Sequence, residues 1–349
     1  PSNGWFFYRG SMEVYFSFVV PVFNRPGEIR ELLESLAIQT YSRPFEVVIV
    51  EDGSSVPSEN VIGEFSDRLQ LSYFKKKNTG PGDSRNYGMR RAKGTYFILV
   101  DSDCILPAAY LDEVVRFLSK NPLDCFGGAD DAHPSFNPMQ QAISYTMTSM
   151  LTTGGIRGKA GSSEKFQPRS FNMGLSRAAF EASGGFGNIH PGEDPDLSLR
   201  LKDLGFTIGF IPGATVYHKR RIDFRSFYRQ VHKFGLTRPI LNRWHPGSAR
   251  ITYWFPAFFI MGLLIAGVLP FFFNGLPAWA LLILFVLYLF VVAIGAGIKS
   301  GSARAALLAP GALLVQYGGY GLGFLKSAFL LTFSKKKPEV LMPGLFFKP

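Results

Sequence analysis

The sequence predicts an α/β fold: a mostly parallel, Rossmann-like sheet with helices on both faces, followed by C-terminal transmembrane helices. Three features point there. Apolar runs such as FEVVIV and TYFILV show no polar alternation, as expected of strands buried on both faces. Amphipathic helical stretches separate those runs, and that alternation belongs to parallel sheets. The composition breaks near Gly247, after which residues 251–333 are strongly apolar and almost without charge.

The elements follow in order. Val14–Val20 is rich in Val and Phe and ends at Pro21, which reads as a buried first strand. Glu28–Gln39 places Ile29, Leu32, Leu33 and Leu36 at helical spacing. Phe45–Val50 is the second strand, and Glu51-Asp52-Gly53-Ser54 follows it. Asn60–Asp67 is a weaker helix and Leu69–Phe74 a short strand. A helix over Gly82–Ala92 opens behind Gly80-Pro81-Gly82, and Thr95–Val100 is a further apolar strand that ends at Asp101-Ser102-Asp103. Near residue 200, a helix over Asp196–Leu204 precedes a strand over Thr207–Ile211 and a turn through PGATVYH to His218. In parallel sheets ligands bind beyond the carboxyl ends of the strands. Asn24, Asp52, Asp101 and Asp103 all fall at such ends.

The apolar end holds two spanning candidates, near 251–273 and 278–298, each long enough for the hydrocarbon core. The short linker Asn274–Pro277 makes them a hairpin. A third segment, 305–333, is interrupted by Pro310, several glycines and Lys326, and reads as spanning, re-entrant or interfacial. Arg243, Arg250, Lys299 and Arg304 flank the hairpin on one side, which the positive-inside rule makes cytoplasmic. Residues 223–250 mix aromatic and basic side chains and read as an amphipathic segment at the membrane surface. Residues 334–349 form a basic tail, 12–222 the α/β domain, and 1–11, ahead of Met12, read as a cloning scar.

The formal net charge is +11, but the Lys and Arg gather beside the apolar region. That placement favours a membrane surface and phosphate ligands, and no nucleic acid. The two cysteines, Cys104 and Cys125, form no metal or redox pattern and read as buried free thiols.

Asp101-Ser102-Asp103 is the sharpest local feature. Two carboxylates at the end of a buried strand can share a hard divalent cation whose other ligands come from substrate phosphates and water. With it go SFVVPVFNRPGEIRELLESLAIQT, FEVVIVEDGSS and NTGPGDSRNYGMRRAKGTYFILVDSDCILP, and then FNMGLSRAAFEASGGFGNIHPGEDPDLSLRLKDLGFTIGFIPGATVYHKR. In this order they resemble the family 2 glycosyltransferases of the GT-A fold, in their membrane-anchored bacterial form.

The resemblance implies a role for each position. Pro21, Val22 and Asn24 border the nucleotide, and Asp52 binds the base, although a D-G-S turn also uses an aspartate structurally. Arg85, near a helix start, suits phosphate or the donor sugar. Asp101 and Ser102 belong to the donor site, and Asp101 and Asp103 hold Mn²⁺ or Mg²⁺. His218 joins the metal or the diphosphate, or is structural. Asp194 is the catalytic base, against the plainer use of an acid at a helix start. Glu193, Lys219, Arg220 and Arg221 are acceptor-side candidates.

The implied activity is that of an inverting, metal-dependent enzyme of hexosyltransferase type. Its donor is a nucleotide sugar of the UDP or GDP type. Its acceptor is lipid or lipid-linked: a polyprenyl phosphate, a lipid-linked glycan or a glycolipid, met at the cytoplasmic face of the inner membrane. Two alternatives stay open: a processive polysaccharide synthase, and a non-catalytic nucleotide-sugar or lipid-binding subunit on the same fold. Against the synthase, Gln230-Val231-His232-Lys233-Phe234 departs from that group's Q-x-x-R-W motif at both final positions.

Overall fold

The computed structural model describes residues 14–131, 133, 136–154, 166–219 and 223–347. They form two compact units. One holds 14–131, 166–218 and 347; the other holds 133, 136–154, 219 and 223–346.

The first unit is built on a sheet of eight strands among the described residues. These are β1 (Phe16–Val22), β2 (Glu46–Asp52), β3 (Gln70–Lys76), β4 (Tyr96–Val100), β5 (Cys104–Ile105), β6 (Cys125–Asp131), β7 (Asn172–Ser176) and β8 (Ile208–His218). The order is β3-β2-β1-β4-β7-β6-β8-β5. β3, β2, β1 and β4 pair in parallel, as the alternation of strands and helices predicts. The other half is mixed: β7 runs antiparallel to β4 and β6, β5 antiparallel to β8, and β6 parallel to β8.

Both faces of the sheet are covered, which is why its strands read as continuous apolar runs. Phe16, Phe18, Val20 and Val22 of β1 turn to one face. There they join Ile29, Leu32, Leu33 and Leu36 of α1 (Pro26–Ala37) and Leu111, Val114 and Leu118 of α4 (Tyr110–Lys120). Val19, Val48, Val50, Phe97 and Leu99 turn to the other, against Met89 of α3 (Pro81–Arg91), Phe180 of α7 (Arg177–Ser183) and Leu197 and Leu201 of α8 (Glu193–Asp203). A short α2 (Glu59–Gly63) precedes β3. Emptying such a site, as in Phe97→Ala, costs about 3–5 kcal/mol.

α3 lies close on β1 and β2. A Cβ on Gly88 would come within 2.6 Å of Val19 Cγ1, so only glycine permits this approach.

One expectation changes. The PGATVYH stretch is not a turn after a short strand: β8 continues through it to His218. β6 pairs with both ends of β8, and an irregularity between Gly128 and Asp130 absorbs the mismatch. Cys104 of β5 then pairs with His218, which sets Asp103 beside that histidine.

The second unit is helical. It comprises α5 (Pro138–Thr148), α6 (Met150–Thr153), α9 (Phe224–Trp244), α10 (Phe255–Phe272), α11 (Leu276–Ser300), α12 (Ala303–Phe333) and α13 (Pro338–Leu341). Ile251–Phe272 and Trp279–Ser300 are long and apolar enough to cross a membrane, and only 11% of each is buried. Large apolar side chains such as Phe258, Leu264, Leu284 and Phe290 are exposed on them. The core helix of a soluble protein would hide such residues.

α12 is unbroken through Pro310 and its glycines. The glycines serve packing: a Cβ on Gly323 would lie 2.3 Å from His232 O, and one on Gly235 of α9 would lie 2.1 Å from Tyr320 O. Backbone meets backbone where α9 crosses α12.

Candidate active site

The carboxyl ends of β1, β2 and β4 form one rim, and the loop before α8 faces it. Asn24, just past β1, takes a left-handed conformation (φ 54°). Its Oδ1 accepts from Ser55 N (2.8 Å) and Val56 N (3.0 Å), tying the β1 end to the loop after β2. Pro21 and Val22 close β1 beside it.

Asp52 is buried, and its carboxylate accepts three hydrogen bonds within the protein. Oδ1 accepts from Lys76 Nζ (2.6 Å) and Thr79 N (3.0 Å), and Oδ2 from Gly80 N (2.9 Å). It therefore shapes the turn that launches α3. Gly80 caps that helix at φ 94°, a conformation that glycine alone adopts without strain.

Arg85, one turn into α3, is buried between two acids. Nη2 donates to Asp101 Oδ1 at 2.5 Å, and Nη1 lies 3.5 Å from Glu193 Oε1. The next residue fixes the facing loop: Asn86 Nδ2 donates to Phe186 O (2.9 Å), and Asn86 Oδ1 accepts from Phe186 N (2.8 Å). One helix thus positions both the end of β4 and the start of α8.

Asp103 divides its carboxylate. Oδ2 pairs with Arg25, and Oδ1 lies 3.2 Å from His218 Nε2. The His218 ring stacks on Phe171 with centroids 4.4 Å apart. Burial pushes the Asp103 carboxyl upward, but His218 and Arg25 outweigh it and hold it below the usual carboxylate range. Ser102 is buried between the two aspartates in sequence.

At the mouth of α8, Glu193 is buried with His190 Nδ1 at 2.9 Å from Oε1. Burial raises its pKa, but His190 and then Arg85 overcome this and bring it to about 2. Asp194 has the opposite character. Burial raises its pKa, Arg169 at 3.5 Å pulls against this, and the Glu193 charge adds to the rise. Two adjacent acids are thus held apart in strength, Glu193 as a fixed anion and Asp194 as a group closer to taking up a proton.

A divalent cation fits the donor set at Asp103. Oδ1 is buried and, apart from the ion-pair contact of His218 Nε2 at 3.2 Å, has no polar partner among the described residues, nor does His218 Nδ1 have one. Ligand atoms of Asp103, Cys104 and His218 lie within 4.8 Å of one another. Carboxylate and imidazole suit Mn²⁺ or Mg²⁺. The Cys104 thiol does not: burial drives its pKa well above the ordinary thiol value, and Sγ sits 3.6 Å from Phe171 O.

The sites singled out from sequence therefore gather, with Arg85 joining Asp101 to Glu193 and Asp194 beginning the same helix turn. Lys219 follows β8 directly, and Arg220 and Arg221 lie outside the described residues. Sequence reasoning missed Arg25, Lys76, Arg169 and His190 as partners of the acidic residues, and Asn86 as the tie to the loop before α8. Arg25 alone carried a signal, standing next to Asn24.

Residues 17–181 match the model of the family described as glycosyl transferase family 2. That stretch holds Asp52, Arg85, Asp101 and Asp103, and stops short of Asp194 and His218. An uncharacterized glycosyltransferase of Haemophilus influenzae is 38% identical over 108 residues, covering 30% of this chain and 35% of that protein. The poly(ribitol-phosphate) beta-N-acetylglucosaminyltransferase TarS of Staphylococcus aureus is 33% identical over 112 residues, 31% of this chain and 20% of its own length. An uncharacterized glycosyltransferase of Rickettsia felis is 33% identical over 105 residues, 30% of this chain and 17% of that protein. The match thus spans a third or less of this chain and from 17% to 35% of these relatives. Among solved structures, a mannosyltransferase from Pyrobaculum calidifontis, in complex with GDP-Man and Mn²⁺, superposes with a TM-score of 0.58. It covers 87% of this chain and 88% of its own at 17% identity, a likeness of GT-A fold.

Proposed function

We propose, from the match of residues 17–181 to glycosyl transferase family 2, that this chain transfers one sugar, with inversion, from a nucleotide-sugar donor to a membrane-embedded acceptor. The observation that carries the reading is the Arg85 bridge. A single guanidinium reaches Asp101 at 2.5 Å and Glu193 at 3.5 Å, so the acidic pair after β4 and the acids opening α8 flank one space.

The chemistry is an in-line displacement. The acceptor oxygen forms a bond to the anomeric carbon as the bond from that carbon to the diphosphate breaks. The electron pair leaves with the nucleoside diphosphate, and the acceptor proton passes to Asp194. Burial raises the proton affinity of Asp194, which suits it to that task. Glu193, held as an anion, keeps Arg85 in place instead of taking the proton. Asp103 and His218 would hold a divalent cation, which when bound offsets charge on the leaving diphosphate. The turn tied by Asp52 launches α3, whose N-terminal end would suit phosphate. A donor of the UDP or GDP type fits this arrangement, and the Pyrobaculum relative's GDP-Man and Mn²⁺ are of that kind.

A lipid or lipid-linked acceptor is favoured by α10 and α11, whose apolar side chains stay exposed and whose length suits the bilayer. The basic residues flanking them favour a cytoplasmic side for those flanks by the positive-inside rule.

The test uses the full chain in detergent with Mn²⁺, a panel of UDP- and GDP-sugars and a bacterial lipid extract. One donor should be consumed with sugar appearing in the lipid fraction, and Asp194→Asn should lose turnover while still binding that donor. No donor turnover and no nucleotide-dependent thermal shift would overturn the reading.

A further inference from the structure

We propose that Arg25 is an exchangeable counter-ion of the cation site: it holds Asp103 while that site lacks a divalent cation, and it moves to the donor's diphosphate when cation and nucleotide arrive. This rests on the donor and cation reading above and adds a residue to it.

Arg25 stands at the rim itself. It follows Asn24, the left-handed residue past β1, and occupies the position just ahead of α1. Its guanidinium pairs with Asp103 Oδ2, while His218 takes the side of Oδ1. Its other acidic neighbour, Glu28, is more distant at 3.7 Å.

Arg25 and Arg85 differ in their freedom. The Arg85 side chain is 3% exposed and shared between Asp101 and Glu193. The Arg25 side chain is 30% exposed, and its second acidic neighbour, Glu28, is itself 35% exposed. Arg85 is therefore fixed, and Arg25 has room to turn.

Charge decides the rest. A guanidinium and a divalent cation on one carboxylate repel each other strongly at ion-pair distances. Binding of the cation at Asp103 and His218 must loosen Arg25. A nucleoside diphosphate supplies new anionic oxygens at the same rim, and a guanidinium fork matches phosphate oxygens in a bidentate manner. Arg25 would thus stabilise the acidic pocket before loading and hold the leaving group afterwards.

The experiment measures binding, apart from turnover. Free Mn²⁺ is followed by electron paramagnetic resonance in titrations of the full chain in detergent, for the native protein and for Arg25→Ala. UDP and GDP affinities are then measured with Mn²⁺ in excess. Removing the competitor should tighten Mn²⁺ binding without nucleotide, and weaken binding of the preferred nucleotide by about 10-fold, the scale of ordinary coupling between two ligands. Arg25→Lys should fall between, since it keeps the charge but loses the fork. Damage to the fold would weaken both ligands together, so the opposite signs are diagnostic. Unchanged or weaker Mn²⁺ affinity in Arg25→Ala would overturn the exchange and leave the donor reading intact. Native protein that binds no Mn²⁺ with either nucleotide would overturn both.

Discussion

Arg169 Nη1 lies 3.5 Å from Asp194 Oδ2, a guanidinium set against the carboxylate assigned as the base. A neighbouring cation favours the ionised acid, so Arg169 opposes the rise that burial imposes on Asp194. Replacing it with Gln removes that opposition. The Asp194 pKa then climbs, and the base form appears only at higher pH. The acidic limb of kcat against pH should move upward in Arg169→Gln, with activity depressed most at low pH and recovering as pH rises. Asp194→Asn should cost about 10²–10⁴-fold in kcat. An unshifted limb would remove Asp194 as the titrating base.

Glu193 makes the opposite prediction, for stability. Its folded-state pKa lies at about 2, below the ordinary glutamate value of about 4.3. Its ionisation therefore stabilises the fold above pH ~4.3, and that stability is lost as pH falls from there through about 2. Glu193→Gln removes one of the two carboxylates that contact buried Arg85 and should destabilise by about 3–5 kcal/mol at neutral pH. Thermal unfolding of the full chain across pH 2 to 6 should show a shallower acid slope in the variant. Equal slopes would mean that Glu193 is not held as a buried anion.

These pairings also mark what could be read in the sequence. Asp101 and Asp103 were legible because TYFILV is apolar throughout, which fixes a strand buried on both faces and places whatever follows it on the sheet's rim. Glu193 and Asp194 were legible as the start of a helix behind a glycine-rich loop. Arg169 was not, because its contact with Asp194 is set by the geometry between β7 and α8, and no local pattern encodes it. His218 was expected after a turn because Pro212 and Gly213 usually interrupt strands. β8 tolerates them where they are exposed, beside the irregularity in β6. The glycines of α12 suggested a broken segment, yet Gly319 and Gly323 answer to α9 and Gly321 to α10, and propensity yields to that packing.

Asp52 tests the turn before α3. Asp52→Asn keeps the shape of the side chain but loses the charge that faces Lys76, and its amide NH₂ cannot accept from a backbone amide. The expected cost is about 1–3 kcal/mol, concentrated in the turn. Hydrogen exchange should show the Thr79 and Gly80 amides losing protection, with donor affinity falling in parallel. Native-like protection at those two amides would show that Asp52 does not organise the turn.

The last prediction separates two glycines that sequence alone treats alike. Gly235 of α9 faces the α12 backbone, where a Cβ would lie 2.1 Å from Tyr320 O and 2.9 Å from Phe324 N. Neither contact can yield without moving a helix, because the obstructing atoms are main chain. Overpacking of this kind costs about 1–3 kcal/mol or more. At Gly318 of α12 a Cβ would meet only Ile260 Cδ1, at 4.0 Å. There alanine adds an ordinary contact and removes the helix penalty of glycine, about 1 kcal/mol. Gly235→Ala should therefore lower the thermal midpoint of the full chain in detergent, and Gly318→Ala should hold or raise it. If both substitutions moved the midpoint in the same direction, the close crossing of α9 on α12 would not be what Gly235 serves.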